Sequence, residues 1–144
     1  MALESIFTGL PDKPGCPVVI AQHMPANFTA SLAAQIHNLS GFPAKEADNR
    51  EPIQNGIVYL APGDFHLEIF RDIADQIIFK TNQKDKRNYV RPCVDFLFES
   101  AAAIYGQSCL ALVLTGMGSD GKDGAQAVKN LGGKVWLQDS ASCV

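Results

Sequence analysis

Short apolar runs alternate with helical stripes of apolar residues along this chain of 144 residues. Continuous apolar runs at 18–21, 56–60 and 109–114 are typical of strands that are covered on both faces. The residues between and after them carry apolar positions at helical spacing, which predicts amphipathic helices after Pro25, from Pro92 and around Val128. Strand, loop, helix and strand in this order form βαβ units. We therefore expect an α/β fold with a mostly parallel, doubly wound, Rossmann-like sheet.

Two further patterns modify this fold. Residues 66–71 and 76–80 alternate between apolar and polar side chains around a short turn, which predicts one antiparallel β-hairpin. Residues 2–10 carry a helical stripe, yet no strand pattern precedes them. An α/β domain that begins on a crossover helix is expected to lack its first strand.

Composition narrows the class of protein. The length fits a single domain over residues 1–144. Twelve basic and fifteen acidic residues give a net charge of −3, which does not favour binding to nucleic acid. No apolar run approaches the roughly 20 residues of a membrane helix, and no export signal is recognisable, so we expect no membrane insertion and a cytoplasmic location. The four cysteines form no Cys-x-x-Cys pair, which disfavours zinc, so no bound metal is expected.

Two loops carry the candidate chemistry, and each follows an apolar run. The first presents His23, whose imidazole can act as a base near neutral pH, although a half-buried structural histidine is the simpler interpretation of this residue alone. The second, at 115–121, presents Asp120 among three glycines at the start of a helix. Both loops follow strands and should meet at the carboxyl edge of the sheet. An acid that orients a histidine is part of a relay that activates a hydroxyl.

The glycine-rich loop allows other interpretations. Asp120 is also a suitable helix-capping residue, which requires no catalysis. Glycines at 116 and 118 free the backbone N–H groups, so the amide of Met117 is a candidate to stabilise an oxyanion. Gly116, Gly118 and Gly121 also match the dinucleotide pattern Gly-x-Gly-x-x-Gly, with Asp139 near the offset of a ribose-binding acid. The charge of Asp120 opposes a pyrophosphate there.

Basic residues cluster before the third predicted helix. Such clusters commonly form solvated loops, and this is the simpler interpretation for Lys84, Lys86 and Arg87. Arg91 differs because it adjoins a helix N-terminus at the same rim of the sheet. It is therefore the one substrate-binding candidate of the cluster.

Five motifs, in this order, make the chain resemble the catalytic domain of the chemotaxis protein-glutamate methylesterases, the CheB family. They are Gln22-His23-Met24-Pro25, the segment 59–64, the segment 91–95, the segment 114–121 and the segment 141–144. The resemblance implies a mostly parallel α/β sheet carrying a Ser-His-Asp triad, with no cofactor. It also implies hydrolysis of glutamyl methyl esters, and deamidation of glutamines, on the cytoplasmic helices of chemoreceptors.

Residue roles follow from the same resemblance. It implies that His23 is the general base, that Asp120 orients it, and that the loop around Met117 contributes to the oxyanion site. The family's serine lies in a Gly-x-Ser-x-Gly-Gly turn after the first strand, which would fall before Met1. The chain thus resembles a methylesterase domain truncated at both ends, without the receiver domain that regulates the family. An inactive remnant that binds receptors, or a dinucleotide-binding domain, remain the alternatives.

Overall fold

The computed structural model describes residues 2–115 and 118–143. Four helices, seven strands and two short 3-10 helices are formed by these residues, with βαβ crossovers at α2 and at α4. In chain order they are α1 Ala2–Gly9, β1 Val18–Ile20, α2 Phe28–Ser40, β2 Ala44–Glu46, β3 Val58–Leu60, β4 His66–Arg71, β5 Ile77–Asn82, α3 Val94–Tyr105, the 3-10 helix Gly106–Ser108, β6 Leu110–Val113, α4 Lys122–Asn130, β7 Lys134–Leu137 and the 3-10 helix Ser140–Ser142.

Strand β3 is central to a parallel sheet of order β1-β3-β2. Its side chains alternate between two cores. Val58 and Leu60 pack with α1 and α2, whereas Tyr59 packs with the hairpin and α3. All three residues are at most 1% exposed. Coverage of both faces is what a doubly wound sheet requires, so the predicted α/β class is confirmed.

The remaining strands form two separate pairs. Strands β6 and β7 run parallel, and β4 and β5 form the predicted antiparallel hairpin with Ile69 opposite Phe79. Strand β2 was not predicted. Its sequence, Ala44-Lys45-Glu46, is polar because it lies at the edge of the sheet, where Lys45 reaches the carboxylates of Asp48 and Glu51.

The expectation that residues 109–114 form a strand covered on both faces is wrong. Leu110 is 47% exposed and Leu112 is 45% exposed. The cause is an interruption in the parallel sheet: β1 pairs only with β3, and β6 pairs only with β7, among the described residues. A cleft of about 430 Å³ lies between β1 and β6, lined by both strands and by α1.

Helices α3 and α4 approach each other at Gly124. A Cβ atom at this position would lie 2.6 Å from Cβ of Phe98 and 3.0 Å from Cα of Asp95. The backbone N–H of Gly124 also donates to Oδ1 of Asp95 at 2.7 Å. The close approach of the two helices therefore depends on the missing side chain.

None of the helices in the described parts of the chain has the length and hydropathy that crossing a bilayer requires. The longest of them, α2, has 13 residues.

Substitution Gly124→Ala should destabilise the fold by about 1–2 kcal/mol, because overpacking against the Asp95 backbone outweighs the better helix propensity of alanine. Urea unfolding measures the change. The matched control is Gly9→Ala, since a Cβ at Gly9 meets no atom within 4 Å. That variant should gain about 0.5 kcal/mol. Equal effects at the two sites would contradict the packing explanation.

Candidate active site

The structure brings His23 and Asp120 together across 97 residues of sequence. Nε2 of His23 lies 2.7 Å from Oδ2 of Asp120. His23 follows β1, and Asp120 follows β6 and precedes α4. The imidazole side chain is 38% exposed, whereas the carboxylate side chain is 4% exposed. A buried acid therefore supports a histidine that is open to solvent at one end of the cleft, and both residues line that cleft.

The loop that carries His23 is fixed by the loop after β3. At Gly63 the two loops come so close that a Cβ atom would lie 2.7 Å from the backbone of Ala26. The N–H of Gly63 donates to Oγ1 of Thr29, a residue in the first turn of α2 that is completely buried. Because these contacts involve backbone atoms, the path of residues 23–26 is set by the fold.

Asp120 is held by donors from three parts of the chain. Two of these five donors are backbone N–H groups in the first turn of α3, where unpaired N–H groups favour a negative charge. The other three are side chains. The donors are Val94 N at 2.7 Å to Oδ2, Asp95 N at 3.2 Å to Oδ1, Cys93 Sγ at 2.9 Å to Oδ1, Asn88 Nδ2 at 3.3 Å to Oδ1, and His23.

These bonds keep the buried carboxyl charged. Burial by itself raises the pKa of Asp120, but hydrogen bonds from Cys93, Val94, His23 and Asp95 outweigh it and hold the pKa below the ordinary 3.8. An ionised carboxylate can only accept, so Asp120 takes the Nε2–H of His23, and the tautomer of this ring that can act as a base has its lone pair on Nδ1. Nδ1 is then the nitrogen that can accept a proton. In the serine-protease template the two ring nitrogens have the opposite roles.

The start of α4 is already occupied by a carboxylate. The N–H of Gly124 donates to Asp95, which lies in the first turn of α3 and is 1% exposed. Asn88 donates to the other oxygen of Asp95 at 2.8 Å. A pyrophosphate at this helix N-terminus would meet two negative side chains, Asp95 and Asp120. The geometry therefore favours the hydrolase interpretation of the loop over the dinucleotide one.

One group of possible metal ligands converges among the described residues. Single ligand atoms of Cys93, Asp95 and Asp120 lie within 4.8 Å of one another. Each of these atoms takes part in the hydrogen bonds given above, and no buried side-chain N or O atom of the described residues lacks a partner. The arrangement works as a hydrogen-bond network without an ion. The expectation that no metal is needed stays a prediction.

The other candidates are less directly connected to the pair. Gly116 and Met117, the expected oxyanion loop, lie outside the described residues. Gly118 is exposed, has a φ of 100° and lines the cleft. Arg91 is 18% exposed at its side chain and binds Oδ1 of Asp64 through Nε and Nη2, at 3.0 and 2.7 Å. Its guanidinium also donates to two loop carbonyls, so its contact with substrate stays a prediction.

Sequence reasoning missed two side chains of the site, Cys93 and Asn88. A signal for Cys93 was present, because it directly follows Pro92 at a predicted helix start, where N–H groups are free to bind an anion. His66, the first residue of β4, also supports the site. It is fully buried, and its Nδ1 accepts from the N–H of Cys93 at 3.2 Å.

Asp120→Asn should lower the free energy of unfolding by about 1–3 kcal/mol at pH 7, because an amide nitrogen would face buried donors. The folded-state pKa of Asp120 is depressed, so its contribution is complete above the ordinary 3.8 and is lost as pH falls through the folded value. The difference in free energy of unfolding between Asp120→Asn and wild type should therefore shrink as the pH falls. Urea unfolding from pH 7 to pH 3 measures it. Exposed Asp12→Asn is the control, and a pH-independent difference at Asp120 would contradict the prediction.

Comparison with known proteins identifies relatives of the whole chain. A family model described as CheB methylesterase matches residues 1–144. The chain is 42% identical to a protein-glutamate methylesterase/protein-glutamine glutaminase of Photobacterium profundum, over all of this chain and 36% of that protein. It is 43% identical to the protein of the same name from Thermotoga maritima, over 99% of this chain and 41% of that protein. The chain therefore spans less than half the length of these curated relatives.

A solved structure shows the same fold. The crystal structure of the Thermotoga maritima CheB methylesterase catalytic domain superposes with a TM-score of 0.94 at 43% identity, covering 99% of this chain and 75% of that one. The family model covers every residue, and the superposition extends over nearly all of them. This chain belongs to the CheB methylesterase family.

Proposed function

We propose that residues 1–144 supply the general base and the orienting acid of a protein-glutamate methylesterase. The contact of 2.7 Å between His23 and Asp120 is the single observation that supports this most strongly. The charged acid, the lone pair on Nδ1 and the open face of the imidazole are what general-base activation of a hydroxyl requires.

The proposed reaction passes through an acyl-enzyme. Nδ1 of His23 takes the proton of a serine hydroxyl while the serine oxygen bonds to the ester carbonyl carbon. The tetrahedral intermediate then collapses, the bond to the methoxy oxygen breaks, and the imidazolium returns the proton to give methanol. Water hydrolyses the acyl-serine by the same two steps. Asp120 stays ionised and stabilises the imidazolium. We assign the oxyanion role to the loop of Gly116, Met117 and Gly118.

The cleft between β1 and β6 is the proposed entry of the serine. Both strands present an open edge to it, and edges of this kind pair readily with another strand. In parallel sheets, ligands and catalytic residues lie at the carboxyl ends of the strands, where His23 and Asp120 stand. A parallel strand from outside residues 1–144, seated between β1 and β6, would end beside the imidazole and carry the serine there.

The substrate follows from the names of the relatives. They indicate glutamyl methyl esters and glutamine side chains of proteins, and we propose the cytoplasmic helices of methyl-accepting chemoreceptors as the substrate proteins. The reaction would then take place in the cytoplasm, and a receiver domain in a longer protein would regulate it. Arg91 is the candidate contact with the substrate protein.

The activity test compares residues 1–144 with a longer protein that includes the serine-bearing strand, and it measures methanol released from a methylated receptor fragment. The longer protein should hydrolyse the ester, and the shorter chain should not. In the longer protein, Asp120→Asn should lower kcat by about 10⁴, the effect of the same change in the serine-protease template.

His23→Ala should abolish turnover in the same assay. His37→Ala is the matched control, because this histidine lies on α2 and its ring bonds the carbonyl of Phe42. Its kcat should stay within twofold of wild type. Turnover by the shorter chain, or by His23→Ala, would contradict the proposed roles. Receptor binding without turnover in both proteins would favour an inactive binding remnant.

Amide hydrogen exchange tests separately whether a strand inserts into the cleft. The N–H of Val18 donates to the carbonyl of Ile57, just before β3, so alternation directs the N–H of Val19 toward the cleft. In β6 the same alternation directs the N–H of Leu112 toward the cleft, because the carbonyls of Cys109 and Val113 accept from β7 and its extension. Both amides should exchange at least about 100-fold more slowly in the longer protein, an effect of pairing an exposed edge. Tyr59, on the central strand, is the control. Unchanged exchange at Val19 and Leu112 would exclude strand insertion.

A further inference from the structure

The two oxygens of Asp120 have different partners. Oδ1 accepts from the thiol of Cys93 at 2.9 Å, the amide of Asn88 at 3.3 Å and the backbone N–H of Asp95 at 3.2 Å, whereas Oδ2 meets His23 and the backbone N–H of Val94. We propose that Cys93 and Asn88 are positioning residues: together they hold Oδ1 so that Oδ2 stays directed at Nε2 of His23. This inference rests on the proposed function, since it concerns the orientation of the general base.

Cys93 can act only as a donor to this carboxylate. The residue is completely buried. Burial, together with the hydrogen bond to Asp120, raises the pKa of the Cys93 thiol to about 12, so it is protonated at neutral pH. Its Sγ–Oδ1 distance of 2.9 Å is short for a contact with sulfur. The thiol is therefore an S–H donor aimed at Oδ1.

The backbone of Cys93 is itself held by a buried ring. Its N–H donates to Nδ1 of His66, and Nε2 of His66 donates to the carbonyl of Asp85 at 3.1 Å. The ring packs edge-on against Phe96, with 4.8 Å between ring centroids. This support reaches the thiol from β4, independently of His23 and of the loop that carries Asp120.

Asn88 reaches Oδ1 from the loop before α3, and its Nδ2 also lies 3.9 Å from Sγ of Cys93. It lies in a loop with a φ of 56°, a left-handed conformation that asparagine tolerates better than most residues. Its amide also donates to Asp95 at 2.8 Å. The preceding Arg87 forms two hydrogen bonds with Glu99 on α3, at 2.8 and 2.7 Å, which fix the loop against the helix.

The two side chains matter because Oδ2 is shared. Val94 N and His23 both bind this oxygen, so the carboxylate group must keep one orientation for the imidazole to be held. A partial rotation about the Cβ–Cγ bond of Asp120 would turn Oδ2 away from Nε2. Donors on Oδ1 oppose that rotation, and Cys93 and Asn88 add two side-chain donors there to the backbone N–H of Asp95. Loss of a donor should therefore disorder the base without weakening substrate binding.

The experiment uses the longer, serine-containing protein and three variants. Cys93→Ala removes the donor, Cys93→Ser keeps a donor of similar size, and Asn88→Gly removes the amide while allowing the positive φ. We expect Cys93→Ala to lower kcat about tenfold with KM unchanged, Cys93→Ser to stay within threefold of wild type, and Asn88→Gly to lower kcat about threefold. Cys109→Ala, a half-buried thiol outside the site, is the control and should keep the wild-type kcat.

A spectroscopic readout separates positioning from loss of fold. At a pH high enough to deprotonate imidazole rings, the ¹⁵N chemical shifts of the His23 ring should show the tautomer with the proton on Nε2 in wild type and in Cys93→Ser. In Cys93→Ala and in Asn88→Gly they should move toward a mixture of the two tautomers.

Equal loss of kcat in Cys93→Ala and Cys93→Ser would overturn the inference, because the donor would then be irrelevant. Wild-type kcat and tautomer in Cys93→Ala would also overturn it. If Cys93→Ala does not fold, the kcat of Asn88→Gly and the tautomer of its His23 ring decide whether the inference holds. If the wild-type protein releases no methanol, the proposed function fails, while the tautomer measurement still decides whether the two side chains hold the pair.

Discussion

The carboxylate of Asp120 lies where three segments of the chain meet, and it is held there by donors from each. The first turn of α3 gives two backbone N–H groups, the loop before it gives Asn88 and Cys93, and the loop after β1 gives His23. A buried charge is tolerated only when such bonds replace water. The same bonds that make the charge acceptable therefore also fix the imidazole.

The N-terminus of each of the helices α3 and α4 binds a carboxylate that comes from the other helix or from a residue just before it. Asp120, just before α4, is bound by the first turn of α3, and Asp95, in that turn, is bound by the N–H of Gly124 in α4. Each helix end thus stabilises a negative charge supplied by the other. These hydrogen bonds form where Gly124 allows the two helices to pack closely. Asp120 is therefore anchored to packed helices rather than to a loop alone.

The cleft between β1 and β6 matters both for the pairing of the sheet and for the proposed reaction. Two parallel strand edges face it, and the exposed leucines of β6 open onto it. An additional strand there would complete the backbone pairing of the sheet and cover this apolar surface. It would also bring its carboxyl end to the imidazole. One segment would then supply both the missing pairing and the nucleophile.

Local patterns in the sequence determined most of the secondary structure. Apolar runs placed β1, β3 and β6, helical stripes placed α1 to α4, and alternation placed the hairpin, because these signals depend on neighbouring residues. Two motifs also singled out His23 and Asp120. The tertiary structure alone decided that these side chains touch, that Cys93 and Asn88 bind the same carboxylate, that Arg91 is bound to Asp64, and that β2 is a strand despite its polar sequence. Each of these outcomes depends on partners distant along the chain, so no local pattern could contain it.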